Sequence, residues 1–344
     1  YVADLYNINS NIEVLRIVAM FLIVLSHCSV HGGFPSRESN FALNNYFLDW
    51  MKLGNLGVDI FVIISGYFFC VKEFKIKSLL KLFAQVWFYS YLCYIVYLCS
   101  GEQFYRKDII RVVLPTLTNT YWFFTTYILL MIFVPLLNVF IKNSSRELIE
   151  RYILILVLIL GITPAFYPSV LINTELAQFI LLYLIGAYLR KNPNNFFSSI
   201  RIRNILLVLG FLLLFASSFV LRYLSNICLI NIRPTMFYSR TSMIVLVIAT
   251  TLVASVIYGN IWYNKYVNFI GTCTFGVYLF HDNPFIRKII WTEWVQNNEF
   301  SNSKFLVFRM ILSVFVVYGV CIIIEWFRQK FCKKIGSFIK KYYF

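Results

Sequence analysis

The sequence has 344 residues and a formal net charge of +16; 60% of its residues are hydrophobic and only 13% are charged. Soluble globular domains carry about a quarter charged residues, so this composition excludes an ordinary soluble enzyme. The basic residues gather at the ends of the apolar runs, which is typical of membrane topology, and we therefore expect no nucleic-acid partner.

Apolar segments of roughly 18 to 22 residues suit a hydrocarbon core about 30 Å thick. They predict an all-α polytopic integral membrane protein with about ten transmembrane helices, embedded as a single domain over residues 1–344. The segments are 12–30, 54–71, 79–99, 121–141, 152–168, 176–189, 204–223, 241–258, 267–281 and 305–327. Pro164 and Pro168 are expected to close the fifth segment, and Gly271 and Gly276 to interrupt the ninth.

The distribution of Lys and Arg predicts the orientation of the chain. The loops that follow even-numbered segments, together with the tail at 328–344, hold more Lys and Arg than the other loops. The positive-inside rule then places both termini in the cytoplasm. The tail alternates basic and aromatic residues, so we expect it to rest on anionic membrane lipids.

The first segment carries a cation and an imidazole on one helical face. Arg16 and His27 are eleven residues apart, which is three turns plus roughly 20°, so both project from one side about 16 Å apart. A charge inside a membrane helix costs at least about 2.5 kcal/mol and normally faces a polar interior. The pair therefore indicates a functional passage with a base that titrates near neutral pH. A snorkelling Arg and an interfacial His are the simpler alternative.

Further polar residues are expected at the depth of His27. Asp59 lies near the start of the second segment, and His281, Asp282 and Asn283 end the ninth. A carboxylate at this depth would orient the imidazole, as in a nucleophile–base–orienter set, so we predict His27 and Asp59 as the catalytic residues. The alternatives are a helix cap for Asp59 and a simple turn leaving the membrane for the ninth segment.

Two more groups of residues mark the segment ends. Lys77 and Lys81 are one turn apart and would share a face suited to a phosphate-bearing ligand, although Lys placed by topology explains them as well. Tyr121 and Trp122 lie at a membrane boundary. They are candidates for the functional site, and the alternative is that they belong to the belt of aromatic residues at the membrane interface. The sequence has no HExxH, GxxxxGK[ST], GxGxxG or GxSxG motif, and with three His we expect no metal site.

Four segments together resemble the acyltransferase 3 family of integral membrane acyltransferases. They are RIVAMFLIVLSH with the spacing R-x10-H, GNLGVDIFVIISGYFF, YWFFTTYILLMIFVPLLN and TFGVYLFHDNP. Their order and spacing match over essentially the whole chain. One motif departs: the family often has R-x-x-R-[IL]-x-P at the start of its third span, where this sequence has KSLLKLFAQ.

The resemblance implies a membrane O-acetyltransferase in the bacterial cytoplasmic membrane. Acetyl-CoA from the cytosol would be the acyl donor and only co-substrate, and a hydroxyl of a cell-envelope polysaccharide or lipid-linked glycan the acceptor. It implies His27 as general base or acyl carrier and Arg16 as donor-binding residue, to which we add Lys77 and Lys81. The predicted acceptor and supporting residues are Ser65, Tyr67, Tyr121, Trp122, Tyr278, His281, Asp282 and Asn283.

Two readings from other classes remain open at the level of sequence. A transporter or flippase of an envelope glycan would also use an intramembrane Arg and His with short, broken spans. A non-catalytic membrane protein of a polysaccharide assembly complex would tolerate changes of Arg16 to Lys or His27 to Gln. Consumption of a thioester by the purified protein distinguishes the enzyme from both.

Overall fold

The computed structural model describes residues 9–34, 42–73, 75–166, 174–227 and 233–343, of which none forms a β-strand. Of these described residues, 81% are helical. The α-helices of this described part are α1 (Ser10–His31), α2 (Ala42–Trp50), α3 (Gly54–Phe69), α4 (Ile76–Cys99), α5 (Arg106–Val113), α6 (Trp122–Asn143), α7 (Arg146–Phe166), α8 (Thr174–Lys191), α9 (Ile200–Ile227), α10 (Met243–Ile257), α11 (Lys265–His281), α12 (Pro284–Lys288) and α13 (Leu306–Tyr343). Three 3-10 turns and a π-helical segment, Ile289–Trp294, connect some of them.

Five described helices are long and apolar enough to cross a membrane: α1, α4, α6, α9 and the Leu306–Lys334 part of α13. Each predicted span overlaps one α-helix. Three of these helices, α3, α10 and α11, have only 16, 15 and 17 residues. A helix perpendicular to the bilayer needs about 20 residues to cross it. The count of ten crossings, the cytoplasmic termini, the single domain and the membrane contact of the tail therefore stay predictions.

The short helices are explained by their position inside the bundle. Helix α3 packs mainly between α1 and α8. At these crossings a Cβ on Gly57 would overlap the backbone of Ala19, and Cβ atoms on Gly66 and Gly186 would overlap the backbone of the facing helix. Glycines thus allow the close approach of helices that is common in membranes. A helix enclosed by others need not match the thickness of the lipid.

Of the expected helix breaks, the closing of the fifth segment stays a prediction, and the interruption of the ninth is not found. Helix α7 continues through Pro164 to Phe166, and Pro168 lies outside the described residues. Helix α11 is continuous through Gly271 and Gly276. These two glycines instead make room for neighbouring carboxylates, because a Cβ on Gly271 would overlap Glu13 and a Cβ on Gly276 would crowd Glu325.

Helix α1 lies deep in the bundle, whereas several long helices face outward. Within the apolar window of each helix, 56% of α1 is buried, against 17% of α9 and 22% of α13. The outward faces carry large exposed apolar side chains such as Leu212 and Phe315. That surface fits lipid contact, and it leaves α1 as the helix around which a site can be enclosed.

Neighbouring helices set the depth of each residue relative to α1. Gly54 at the start of α3 packs on Ser26, and Gly271 in α11 packs on Glu13. Helix α3 therefore starts beside His27, and α11 starts at the opposite end and finishes beside His27. We call these two levels the His27 end and the Arg16 end.

Candidate active site

A cavity of about 610 Å³ extends along α1 between α3, α6 and α11. Arg16 lines it at one end, and His27 and His31 line it at the other. The two predicted residues therefore face one shared space, as their spacing on the helix indicates. Between the two ends the walls are mainly apolar, with aromatic side chains such as Phe61, Phe69 and Phe275.

A chain of hydrogen bonds fixes the proton positions on the two imidazoles at the His27 end. His281 Nδ1 lies 2.6 Å from the Val277 carbonyl oxygen, and His281 Nε2 lies 2.9 Å from His27 Nδ1. A carbonyl only accepts, so Nδ1 of His281 carries a hydrogen, and in the neutral ring its Nε2 is an acceptor. His27 Nδ1 must then donate. The remaining nitrogen, His27 Nε2, keeps its lone pair and is free to act as a base.

Asp282 is the carboxylate nearest to this relay. Its Oδ1 lies 3.5 Å from His27 Nδ1 and accepts a hydrogen bond of 2.8 Å from Nη2 of Arg287. The separation from His27 is beyond a normal hydrogen bond, so the interaction is electrostatic. Asp282 is buried at the end of α11. Its negative charge would stabilise His27 once Nε2 has taken a proton.

At the Arg16 end a buried carboxylate holds the arginine. Glu13 is one turn before Arg16, and its Oε1 accepts a hydrogen bond of 2.7 Å from Arg16 Nη1. The side chain of Glu13 is 8% exposed, whereas that of Arg16 is 30% exposed. The pair thus presents a guanidinium to the cavity and keeps its counter-charge behind it.

The sequence profile of a family described as an acyltransferase domain matches residues 9–326. The chain belongs to the acyltransferase 3 family. The match spans both ends of the cavity and nearly the whole chain. No curated protein and no solved structure matched the chain in the same comparisons. Membership in the acyltransferase 3 family, together with the apolar helices, assigns a membrane protein with acyltransferase activity, and nothing in the match favours the transporter.

In this member of the acyltransferase 3 family, the geometry gives no support to the prediction that Asp59 orients His27. Both carboxylate oxygens of Asp59 are buried without a hydrogen-bond partner among the described residues. Asp59 is also no helix cap, because α3 begins five residues earlier at Gly54. The side chain of Val58 lines the cavity, and the next position is rotated by about 100° away from it.

The two predicted lysines do not line the cavity. Lys77 and Lys81 are exposed on α4, while the residue after each of them, Ser78 and Leu82, lines the cavity wall. The spacing therefore predicted the correct two turns of α4 but the wrong face of the helix. Donor binding by Lys77 and Lys81 therefore has no support from the geometry.

Three of the eight predicted acceptor and supporting residues line the cavity, namely Ser65, Trp122 and Tyr278. Ser65 accepts a hydrogen bond of 3.3 Å from the Tyr127 hydroxyl. Tyr67 is turned about 200° from Ser65 on the same helix. Its hydroxyl accepts a hydrogen bond of 2.8 Å from Arg190 Nη1, so Tyr67 does not line the cavity and its predicted place in the site has no support from the geometry.

Tyr121 and Asn283 hold the end of α11 in place. Asn283 Nδ2 donates to the Tyr121 hydroxyl at 2.6 Å, and that hydroxyl donates to the Leu279 carbonyl at 3.0 Å. The side-chain oxygen of Asn283 also accepts from the backbone N–H of Phe285 and caps α12. These contacts fix the position of the two residues between Leu279 and Asn283 that face His27, which are His281 and Asp282.

Trp122 and Tyr278 give the cavity its aromatic surface beyond the imidazoles. The guanidinium carbon of Arg240 lies 4.0 Å from the centroid of the Trp122 ring. Tyr278 stacks on Phe275, and its buried hydroxyl has no hydrogen-bond partner among the described residues.

His31 was missed as a site residue, although its spacing of four from His27 places it on the same helical face. The two rings have centroids 5.5 Å apart. His27, His31 and Asp282 have possible metal-ligand atoms within 4.8 Å of one another. Ligands of a tetrahedral zinc ion lie about 3.4 Å apart, and the Arg287 guanidinium already occupies the carboxylate. The geometry fits a metal poorly, and the absence of a metal stays a prediction.

Proposed function

We propose that the protein is an O-acetyltransferase of the bacterial cytoplasmic membrane. It transfers an acetyl group from cytosolic acetyl-CoA to a hydroxyl of a cell-envelope polysaccharide or lipid-linked glycan. The single observation that carries the proposal is the shared cavity, with a guanidinium at one end and the free Nε2 of His27 at the other.

The Arg16 end suits the phosphates of the donor. One guanidinium nitrogen of Arg16 is engaged by Glu13, and the other N–H groups remain for phosphate oxygens, which arginine binds in a planar fork. The apolar walls between the two ends suit the uncharged arm of CoA. Bound in this direction, the donor carries its thioester toward His27.

The His27 end suits deprotonation of the acceptor. A sugar hydroxyl is a weak nucleophile until a base takes its proton, and a positioned base contributes about 10²–10⁴-fold to the rate. His27 Nε2 takes the hydroxyl proton while the oxygen forms a bond to the acetyl carbon. The carbon–sulfur bond then breaks, and the imidazolium returns the proton to the CoA sulfur. His281 holds the His27 ring in position, and the Asp282 carboxylate stabilises the positive charge that His27 carries after it has taken the proton.

We propose direct transfer, with no acetyl group carried on His27. The cavity is continuous from Arg16 to His27, so the donor can bring its thioester to the acceptor without a covalent carrier. Acetyl-CoA supplied without acceptor should leave His27 unmodified. Mass analysis of the peptide containing His27 checks this, and an acetyl increment on that peptide contradicts direct transfer.

The experiment that tests the function measures release of free CoA thiol by the purified protein in detergent, with acetyl-CoA and a simple sugar. We expect acceptor-dependent release, and we expect His27→Gln to lower it at least roughly 10²-fold. His31→Gln removes the imidazole one turn away and should cost less. Unchanged release by a folded His27→Gln protein would overturn the assignment, and a glycan transporter would consume no thioester at all.

A further inference from the structure

The described charged residues that line the cavity are all positive, and binding of the donor explains only one of them. Its lining among the described residues includes Arg16, Arg240, His27 and His31 but neither Asp nor Glu. The donor phosphates explain Arg16. Arg240 is a second fixed cation, and the proposed reaction gives it no role.

Arg240 lies at the His27 end, where the acceptor would bind. Two residues before it, the Tyr238 carbonyl accepts a hydrogen bond of 2.7 Å from Asn55 Nδ2. Asn55 follows Gly54, which packs on Ser26 beside His27. Arg240 also stacks on Trp122, the first residue of α6, on the same side of the cavity. These contacts put the guanidinium on the acceptor side of the cavity.

The guanidinium is held in a fixed orientation with donors left over. Its Nη1 donates to Glu175 Oε1 at 2.7 Å, and Trp122 supports its plane from one face. Glu175 does not line the cavity, so its carboxylate anchors the arginine from behind. Arginine has five N–H donors, and the described residues give this one no other hydrogen-bond partner. The free donors are available at the cavity.

We infer that Arg240 and Trp122 form a subsite for a negatively charged group of the acceptor, either a carboxylate of an acidic sugar or a phosphate of a phosphorylated sugar. This inference rests on the proposed acetyl transfer. A pre-oriented guanidinium binds the two oxygens of a carboxylate or phosphate at once, which a neutral hydroxyl does not reproduce. Arg240 therefore selects the acceptor, while His27 activates it.

The test compares three acceptors of similar size in the thiol-release assay: methyl glucoside, methyl glucuronoside and glucose 1-phosphate. We expect kcat/KM for at least one anionic sugar to exceed that for methyl glucoside by about tenfold. Preference for the glucuronoside identifies a carboxylate as the ligand, and preference for glucose 1-phosphate identifies a phosphate. Equal rates for all three, or a preference for methyl glucoside, overturn the subsite.

Variants separate recognition of the acceptor from a general effect. Arg240→Gln should bring the ratio of anionic to neutral acceptor toward one without raising KM for acetyl-CoA, and Arg240→Lys should give an intermediate ratio because lysine lacks the fork. Arg309→Gln is the matched control: Arg309 also stacks on an aromatic ring, Phe300 at 3.6 Å, but does not line the cavity. A raised KM for acetyl-CoA in Arg240→Gln would make Arg240 a donor contact and overturn the inference.

A binding measurement keeps the test independent of turnover. The preferred anionic sugar should raise the melting temperature of the wild-type protein and of Arg309→Gln but not that of Arg240→Gln. An equal rise in all three proteins contradicts the subsite. Absence of thiol release with every acceptor contradicts the proposed acetyl transfer, whereas release at equal rates contradicts only the subsite.

Discussion

At the Arg16 end of the cavity, the charged pair comes from a single turn of one helix, Glu13 and Arg16 in α1. At the His27 end, the interacting groups come from α1, from the end of α11 and from α12, as His27, His281, Asp282 and Arg287. The first arrangement forms whenever α1 is helical. The second exists only when separate helices have packed, so small shifts of packing would change its chemistry while leaving the Arg16 end intact.

The largest contrast should come from exchanging carboxylates for amides. Asp282→Asn removes the negative charge beside His27, and we expect kcat to fall roughly 10²-fold because the imidazolium loses its stabilising partner. Asp59→Asn changes a buried carboxyl that contacts neither His27 nor the cavity, and kcat should stay within about twofold. Steady-state thiol release measures both. A larger loss for Asp59→Asn than for Asp282→Asn would reverse our assignment.

Substitutions at the two ends should affect different kinetic parameters: kcat at the His27 end and KM for acetyl-CoA at the Arg16 end. Arg16→Gln removes a charged donor to phosphate, which should raise KM for acetyl-CoA about tenfold and leave kcat nearly unchanged. Glu13→Gln leaves the guanidinium in place with a weaker anchor and should raise KM less. The measurement is a titration with acetyl-CoA at saturating acceptor. If Arg16→Gln lowers kcat alone, the donor phosphates do not bind at this end.

Packing at the Arg16 end can be disturbed without substituting either member of the charged pair. Gly271→Ala would place a methyl group against the Glu13 carboxylate and should destabilise the protein by about 1–3 kcal/mol. Gly319→Ala is the matched control, since a Cβ there meets nothing within 4 Å. Thermal unfolding in detergent should show a lower melting temperature for Gly271→Ala only. Equal melting temperatures would contradict the close contact between Gly271 of α11 and Glu13 of α1.

The smallest effect is expected for the two lysines of α4. Lys77→Gln and Lys81→Gln change exposed residues beside the cavity wall, so KM for acetyl-CoA should change less than about twofold, alone or combined. The same donor titration measures this change. A tenfold increase would restore the lysines as part of the donor site.

The sequence sufficed to predict what depends on a single helix. Helical periodicity placed Arg16 and His27 on one face, and the same periodicity would have found His31. It did not suffice for the rotation of α3, because nearly every residue of that helix is apolar and no polar stripe reveals its inward face. Of the three residues of α3 that were assigned to the site, Asp59, Ser65 and Tyr67, only Ser65 lines the cavity, and Val58 was missed.

The sequence placed His281 and Asp282 at the depth of His27, but it could not predict their contacts with the His27 ring, for a different reason. Asp282 lies just beyond the last turn of α11, where the direction of a side chain depends on how the chain leaves the helix. That direction is set by Asn283 and Tyr121, which are 162 positions apart in the chain. No local pattern predicts such a contact. Arg240 was missed likewise, because its position depends on the contact between Asn55 and Tyr238.

The imidazole relay ends on the backbone carbonyl of Val277. A carbonyl oxygen accepts a hydrogen bond but has no hydrogen to pass on, so the two rings do not form a conducting wire for protons. In the proposed reaction, the proton that His27 takes from the acceptor therefore leaves with the CoA thiol and not through His281. Two neighbouring histidines can thus lie inside a membrane that maintains a proton gradient without letting protons leak across it.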